Sequence, residues 1–184
     1  MAATIRYIPS SLKLSNDLRS PIIAIHTFAC FATPLTSPQP DASTEPQTNH
    51  WYLHCQLSDT DFVRLDPSPT GPKSTLQLLV SSNVDPTDKC AKTCRLTTQN
   101  LSVEDLLDRI TSASFDKYQF TSGGQGCRYW VSCFIQTLSK QGCLVDQKEA
   151  DVAIDALKYV WGEGGAILPA DVQTSICEGI FYGR

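Results

Sequence analysis

No stretch of this 184-residue sequence approaches the run of about 20 apolar residues that a membrane-spanning helix needs. Met1 to Asn16 carry no continuous apolar h-region either, so neither a membrane span nor export is expected, and the chain reads as cytoplasmic. Clusters of lysine and arginine are also missing, and the formal net charge is -4. Non-specific nucleic-acid affinity comes mainly from such clusters, so no nucleic-acid partner is expected. Cysteine, in contrast, is plentiful at eight residues. In a chain that is not exported these thiols are expected to stay reduced, most of them as small core residues. The length suits one domain, 1–184, able to bury a core without metal or disulfide staples.

The first half reads as antiparallel β. After Pro21, the stretch 22–31 is apolar, β-branched and aromatic, and predicts a strand. The Pro/Ser/Thr-rich stretch 34–48 has too little apolar surface to hold one conformation and predicts a flexible loop inside the domain. At 50–57 strict alternation puts Trp51, Leu53, Cys55 and Leu57 on one face and His50, Tyr52, His54 and Gln56 on the other, the pattern of a half-buried strand. A turn at 58–60 leads into a strand at 62–66, and a three-residue loop would set His54 opposite Arg64 and Tyr52 opposite Asp66. Further strands are predicted at 75–80 and 93–98.

The second half reads as helical. Ser102 and Asp105 form a variant capping box ahead of Leu106, Leu107 and Ile110. A second helix is predicted from Cys127 to near Gly142, with Trp130, Val131, Phe134, Ile135 and Leu138 on one face. Asp146 and Glu149 read as a second capping signature, opening a helix with Val152, Ala153, Ala156, Leu157 and Val160 on its apolar stripe and a stop near Gly162. The stretch 176–182 is a candidate closing strand. Strands first and helices after predict α+β, an antiparallel sheet packed against helices.

Chemistry concentrates in Gly123-Gly124-Gln125-Gly126-Cys127-Arg128-Tyr129-Trp130-Val131. A thiol delivered to a helix N-terminus sits among unpaired N–H groups at the positive end of the macrodipole, which favours thiolate. The bland alternative is one more inert core cysteine. His50 is the candidate base, with His26 and His54 as competitors and exposure at a strand end as its bland role. Cys90 and Cys94 have the spacing of half a zinc site, but no second Cys/His pair accompanies them, so no metal or cofactor is expected.

The stretches Asn49-His50-Trp51-Tyr52-Leu53, Phe62-Val63-Arg64-Leu65 and Gly126-Cys127-Arg128-Tyr129-Trp130-Val131, followed by Gly142, resemble the circularly permuted papain-like folds of the NlpC/P60 superfamily, specifically its lecithin retinol acyltransferase-like branch. The chain is also similar to a group of small fungal proteins sharing the His-Trp and Gly-Cys-Arg-Tyr-Trp-Val stretches. The resemblance implies His50 as general base and Cys127 as nucleophile. It also implies a polar residue on the next strand to orient the base, where this sequence has Arg64. An arginine has only donors and cannot accept the imidazole N–H, so Asp66 becomes the candidate third member. Arg64 is then a candidate grip on a substrate carboxylate or phosphate, with a surface ion pair as its bland role. No membrane anchor like that of the lipid-acting branch is visible, which favours a soluble substrate.

Together these features predict cysteine-dependent acyl transfer, amide hydrolysis or amide-forming cyclisation on a small soluble acyl substrate, in keeping with fungal small-molecule biosynthesis. Backbone N–H groups around Cys127 and Gly126, with the Gln125 side chain, are the candidate oxyanion donors. Tyr52 and His54, on the His50 face, are candidate substrate contacts. The rival reading is a non-catalytic ligand-binding or scaffold protein using the same cleft.

Overall fold

Strand formation in the first half follows the alternation of its residues. A computed structural model describes residues 18–34, 46–82 and 90–183. β1 (Ala24–Ala29), β4 (Trp51–Gln56), β5 (Phe62–Ser68), β6 (Gln77–Ser82) and β7 (Lys92–Thr97) form a five-stranded antiparallel sheet in the order β6-β5-β4-β1-β7. β2 (Thr33–Pro34) and β3 (Gln47–Thr48) pair beside it. Between them, residues 35–45 of the loop expected at 34–48 lie outside the described residues. The hairpin register places His54 opposite Arg64, as the short turn requires.

Among the described residues three α-helices follow or interleave: α1 (Val103–Ser112), α2 (Cys127–Lys140) and α3 (Gln147–Ala156). The fold is therefore mixed α+β. α1 opens with a full capping box, Ser102 accepting from the Asp105 N–H while Asp105 accepts from the Ser102 N–H. α2 packs on β4 and β5 and against α3, and α3 packs on the edge strand β7. Trp51, Leu53 and Cys55 of β4 meet Trp130, Val131, Phe134 and Ile135 of α2 in one core, all at 0 or 1 % exposure. Each such side chain stabilises the fold by roughly 1.5–3 kcal/mol of transfer free energy. A short ribbon of β8 (Tyr118–Gln119) and β9 (Ile180–Phe181) closes the chain and pins its C-terminal segment beside the start of α2.

Three expectations need correction. The second face of β4 is not a solvated polar face: Tyr52 is 3 % and His54 0 % exposed. β4 lies inside the sheet, so rings from its neighbours close over that face, with Phe28 stacked on Tyr52 at 5.6 Å and 4.4 Å from His54. α3 ends near Ala156, and Val152 is 61 % exposed, off the buried stripe of Ala150, Ala153 and Ala156. Asp146 caps α3 by accepting from Lys148 N–H, but Glu149 does not complete a box. Its carboxylate instead reaches across to the edge strand, accepting from the backbone N–H and hydroxyl of Thr97.

Candidate active site

The local backbone before α2 presents Cys127 to a cavity. Gly126, at the helix N-cap, has φ 141°, and a Cβ there would sit 2.6 Å from the Tyr118 hydroxyl, so only glycine fits. The Tyr118 hydroxyl donates to the Gly126 carbonyl at 3.0 Å and accepts from the Gly179 N–H at 2.9 Å, which fixes the helix start to the C-terminal segment. No side chain caps α2, so its first-turn N–H groups remain available beside the thiol.

His50 stands one residue before β4. Its Nε2–H donates to Asp66 Oδ1 at 2.6 Å, and Asp66 Oδ2 accepts from Arg64 Nη2 at 2.5 Å. The Cys127 thiol lies beside His50, close enough to perturb it electrostatically, and its Sγ–H donates to the Asn49 carbonyl at 3.8 Å. With Nε2 committed to Asp66, Nδ1 is the ring nitrogen left for the sulfur. Cys127, His50 and Asp66 thus form one chain of contacts, and Arg64 braces its far end.

The electrostatics follow from that chain. Burial disfavours a charged imidazole, yet the hydrogen bonds to Asp66 and Cys127 and their negative charges raise His50 from 6.5 to about 10. Burial likewise pushes the Cys127 thiol up, but the His50 hydrogen bond and charge, the Trp51 N–H and the Arg128 charge outweigh it and hold the thiol below its ordinary value. For Asp66, burial is again overcome, here by His50 and Arg64, and the carboxyl is held below the usual carboxylate range. Both shifts run in the direction that favours a thiolate beside an imidazolium. Cys55 shows the contrast: burial alone pushes it up to about 12. All eight cysteines are free thiols.

The cavity has a volume of about 140 Å³ and is lined by Thr33, Thr48, Asn49, His50, Gly123, Gly124, Gln125, Gly126, Cys127, Arg128 and Cys177. Of the residues expected at the site, Cys127, His50, Gln125 and Gly126 meet here, with Asp66 directly behind His50. Arg64 does not face the cavity with a free fork. It bonds Asp66 and stacks 3.9 Å above the Tyr52 ring. Tyr52 and His54 do not line the cavity; both are buried in the aromatic layer. Among the described residues no group of three or more His, Cys, Asp or Glu is placed to hold a metal ion.

Four residues to which the sequence assigned no role, Asn49 and Arg128 of the motif stretches among them, complete the site. The Asn49 amide donates to the Cys30 and Trp161 carbonyls and accepts from the Trp161 N–H, all within 2.8 Å, anchoring the residue before His50. Arg128 is 4 % exposed, and its guanidinium donates to the Thr174 carbonyl and hydroxyl and the Ser175 carbonyl at 2.8–2.9 Å. That grip holds the strap 174–177, whose Cys177 lines the cavity. Tyr118 is the fourth. A signal for Arg128 did exist: it lies in helical phase with buried Val131, Ile135 and Leu138. Nothing local marks the others, whose partners within the site lie as far as 112 residues away.

A family model described as a domain of unknown function, DUF7770, matches residues 30–182. This chain belongs to the DUF7770 family. The match takes in Cys127, His50, Asp66 and the segment 174–177. No curated protein and no solved structure matches this DUF7770 domain. Among its described residues, no helix is long and apolar enough to cross a membrane.

Proposed function

We propose that this protein catalyses acyl transfer from an ester, thioester or amide through Cys127. The single observation that carries the reading is the juxtaposition of Cys127 with a His50–Asp66 hydrogen-bonded pair at the wall of a cavity, with the thiol depressed and the imidazole raised. In the cycle, the Cys127 thiolate attacks the carbonyl carbon, the C–S bond forms, and the C=O electron pair moves onto oxygen. Collapse of this oxyanion breaks the bond to the leaving group, which takes its proton from the His50 imidazolium. A water or amine then attacks the acyl-enzyme, giving its proton back to His50 as the thiolate departs. Hydrolysis, transfer and amide-forming cyclisation differ only in that second nucleophile.

The cavity of about 140 Å³ sets the scale of the substrate. Since a cavity of about 150 Å³ holds a molecule the size of benzene, only a small acyl portion enters and the rest of the substrate extends through the mouth. The order of strands and helices, with His50 just before strand β4 and ahead of Cys127 on a helix, supports a permuted papain-like arrangement as part of this proposal. The test needs no knowledge of the substrate. Under limiting iodoacetamide near pH 6, peptide mapping should find Cys127 modified before the other seven thiols, and His50→Ala should remove that advantage. Preferential labelling of Cys90 or Cys94 with Cys127 protected would leave the binding or scaffold reading in its place.

A further inference from the structure

Cys177 lines the same cavity as Cys127, and its thiol donates to Gln125 Oε1 at 2.6 Å. This contact takes up the carbonyl end of the Gln125 side chain. Among the described residues the Nε2 end, with its two N–H donors, has no acceptor, although the residue lines the cavity two positions before the nucleophile. An amide can present only one end to a given partner, so holding its oxygen on one side fixes its donors on the other. We propose that Cys177 is a positioning residue: by engaging Gln125 Oε1 it turns the Gln125 Nε2–H₂ toward the oxyanion that forms on the carbonyl attacked by Cys127. This inference rests on the acyl-transfer reading of Cys127 and goes beyond it.

The strap makes the arrangement rigid. Arg128, one residue after the nucleophile, grips Thr174 and Ser175 from within the core. The Thr174 hydroxyl in turn donates to the Gln47 carbonyl at 2.7 Å, and the Gly179 N–H is held by Tyr118. Cys177 therefore lies between two fixed points of the chain. Gln125 is fixed at its other end, its backbone N–H donating to the Thr121 hydroxyl at 3.1 Å and its carbonyl accepting from the Thr121 N–H at 2.9 Å. A side-chain donor held this way joins the Cys127 backbone N–H as the second arm of an oxyanion site, preorganised and not recruited at the moment of reaction.

Two reagents separate the oxyanion from the thiolate. p-Nitrophenyl acetate acylates Cys127 through a tetrahedral oxyanion: the C–S bond forms, the C–O bond breaks, and p-nitrophenolate leaves. Iodoacetamide alkylates the same sulfur by displacement of iodide and forms no oxyanion. Both rates are read at Cys127 by peptide mapping, with Cys127→Ser as the blank. In Cys177→Ala the acylation rate is expected to fall about ten-fold relative to the alkylation rate, less than the 10²–10³ seen when an oxyanion donor is deleted outright. Cys177→Ser, whose hydroxyl still donates to Gln125, should restore most of the ratio. Adding Cys177→Ala to Gln125→Ala should lower it no further, because the two act as one unit. An unchanged ratio in Cys177→Ala, or an equal drop in both rates with no rescue by serine, overturns the positioning role while leaving Cys127 as the nucleophile. A wild-type chain in which neither reagent prefers Cys127 overturns both.

Discussion

His50 and His54 stand four residues apart in and beside one strand, and they differ in almost everything that matters to chemistry. The His50 side chain is 37 % exposed, opens onto the cavity, and holds Asp66 on one side and the Cys127 thiol on the other. His54 is fully buried, with the Phe28, Tyr52 and Phe62 rings 4.4, 5.0 and 6.3 Å away. Its register partner on β5 is Arg64, a cation. One histidine thus faces a carboxylate at a strand end and the other an aromatic layer in a strand interior. Side-chain type and alternation are the same for both, so the difference comes from position along the sheet.

The largest test of this contrast substitutes each in turn. His50→Ala should slow acylation of Cys127 by an activated ester at pH 6 by about 100-fold, at the lower end of general acid–base contributions. His54→Ala should leave that rate within a few-fold and act on the fold instead, lowering unfolding free energy in urea by about 2–4 kcal/mol as expected for deleting a large buried ring. If the two phenotypes exchange, the assignment of the base to His50 fails. Asp66→Asn comes next: the amide keeps its size but loses the charge that helps raise His50, so acylation at pH 6 should fall about ten-fold and its pH profile should move upward.

Much of this contrast was legible in the sequence. Alternation marks β4 and separates the core-facing Trp51, Leu53 and Cys55 from the histidine face, and the short turn predicts the His54–Arg64 register. The glycines ahead of Cys127 mark its helix start, and an arginine's lack of acceptors turns attention from Arg64 to Asp66. What alternation does not carry is whether a second sheet face is wet. That depends on strand order, here β5-β4-β1, and on Phe28 and Phe62 arriving from both neighbours. For the same reason Tyr52 and His54 looked like substrate contacts. The strap was invisible for a different reason: Cys177 meets Gln125 across 52 residues with no periodic signal between them.

The raised His50 pKa also predicts how stability changes with pH. A group raised from 6.5 to about 10 contributes stability that is full below pH 6.5 and lost as pH rises through about 10. The lowered Cys127 works in the opposite sense, its contribution being lost as pH falls, so the two overlap in the wild type. In a Cys127→Ser chain the thiol no longer titrates, and the Asp66 hydrogen bond and charge are what still raise His50, so the window ends below about 10. The urea-midpoint gap between that chain and its His50→Gln derivative should then narrow steadily as pH rises above 6.5. A gap that is flat above pH 6.5 and instead grows as pH rises toward 6.5 from below would mean His50 is held neutral in the fold.

The smallest effect is expected at Arg64, the residue that touches both halves of the comparison. It is His54's register partner, it stacks on Tyr52, and it bonds the Asp66 oxygen that His50 does not use. Its side chain is 26 % exposed, so the pair with Asp66 is partly screened and worth at most about 1 kcal/mol by analogy with other accessible ion pairs. Arg64→Ala should therefore slow Cys127 acylation by only about two- to three-fold through a less firmly held Asp66, in line with a weak accessible pair. Arg64→Lys should recover little of that loss, since an ammonium neither stacks as a guanidinium does nor keeps the same fork. Were Arg64 instead a direct grip on the substrate, its removal would lower acylation by an anionic ester far more than by p-nitrophenyl acetate. Measuring both esters on the same variant separates the brace from the grip, and equal small losses are the outcome that the observed contact with Asp66 requires.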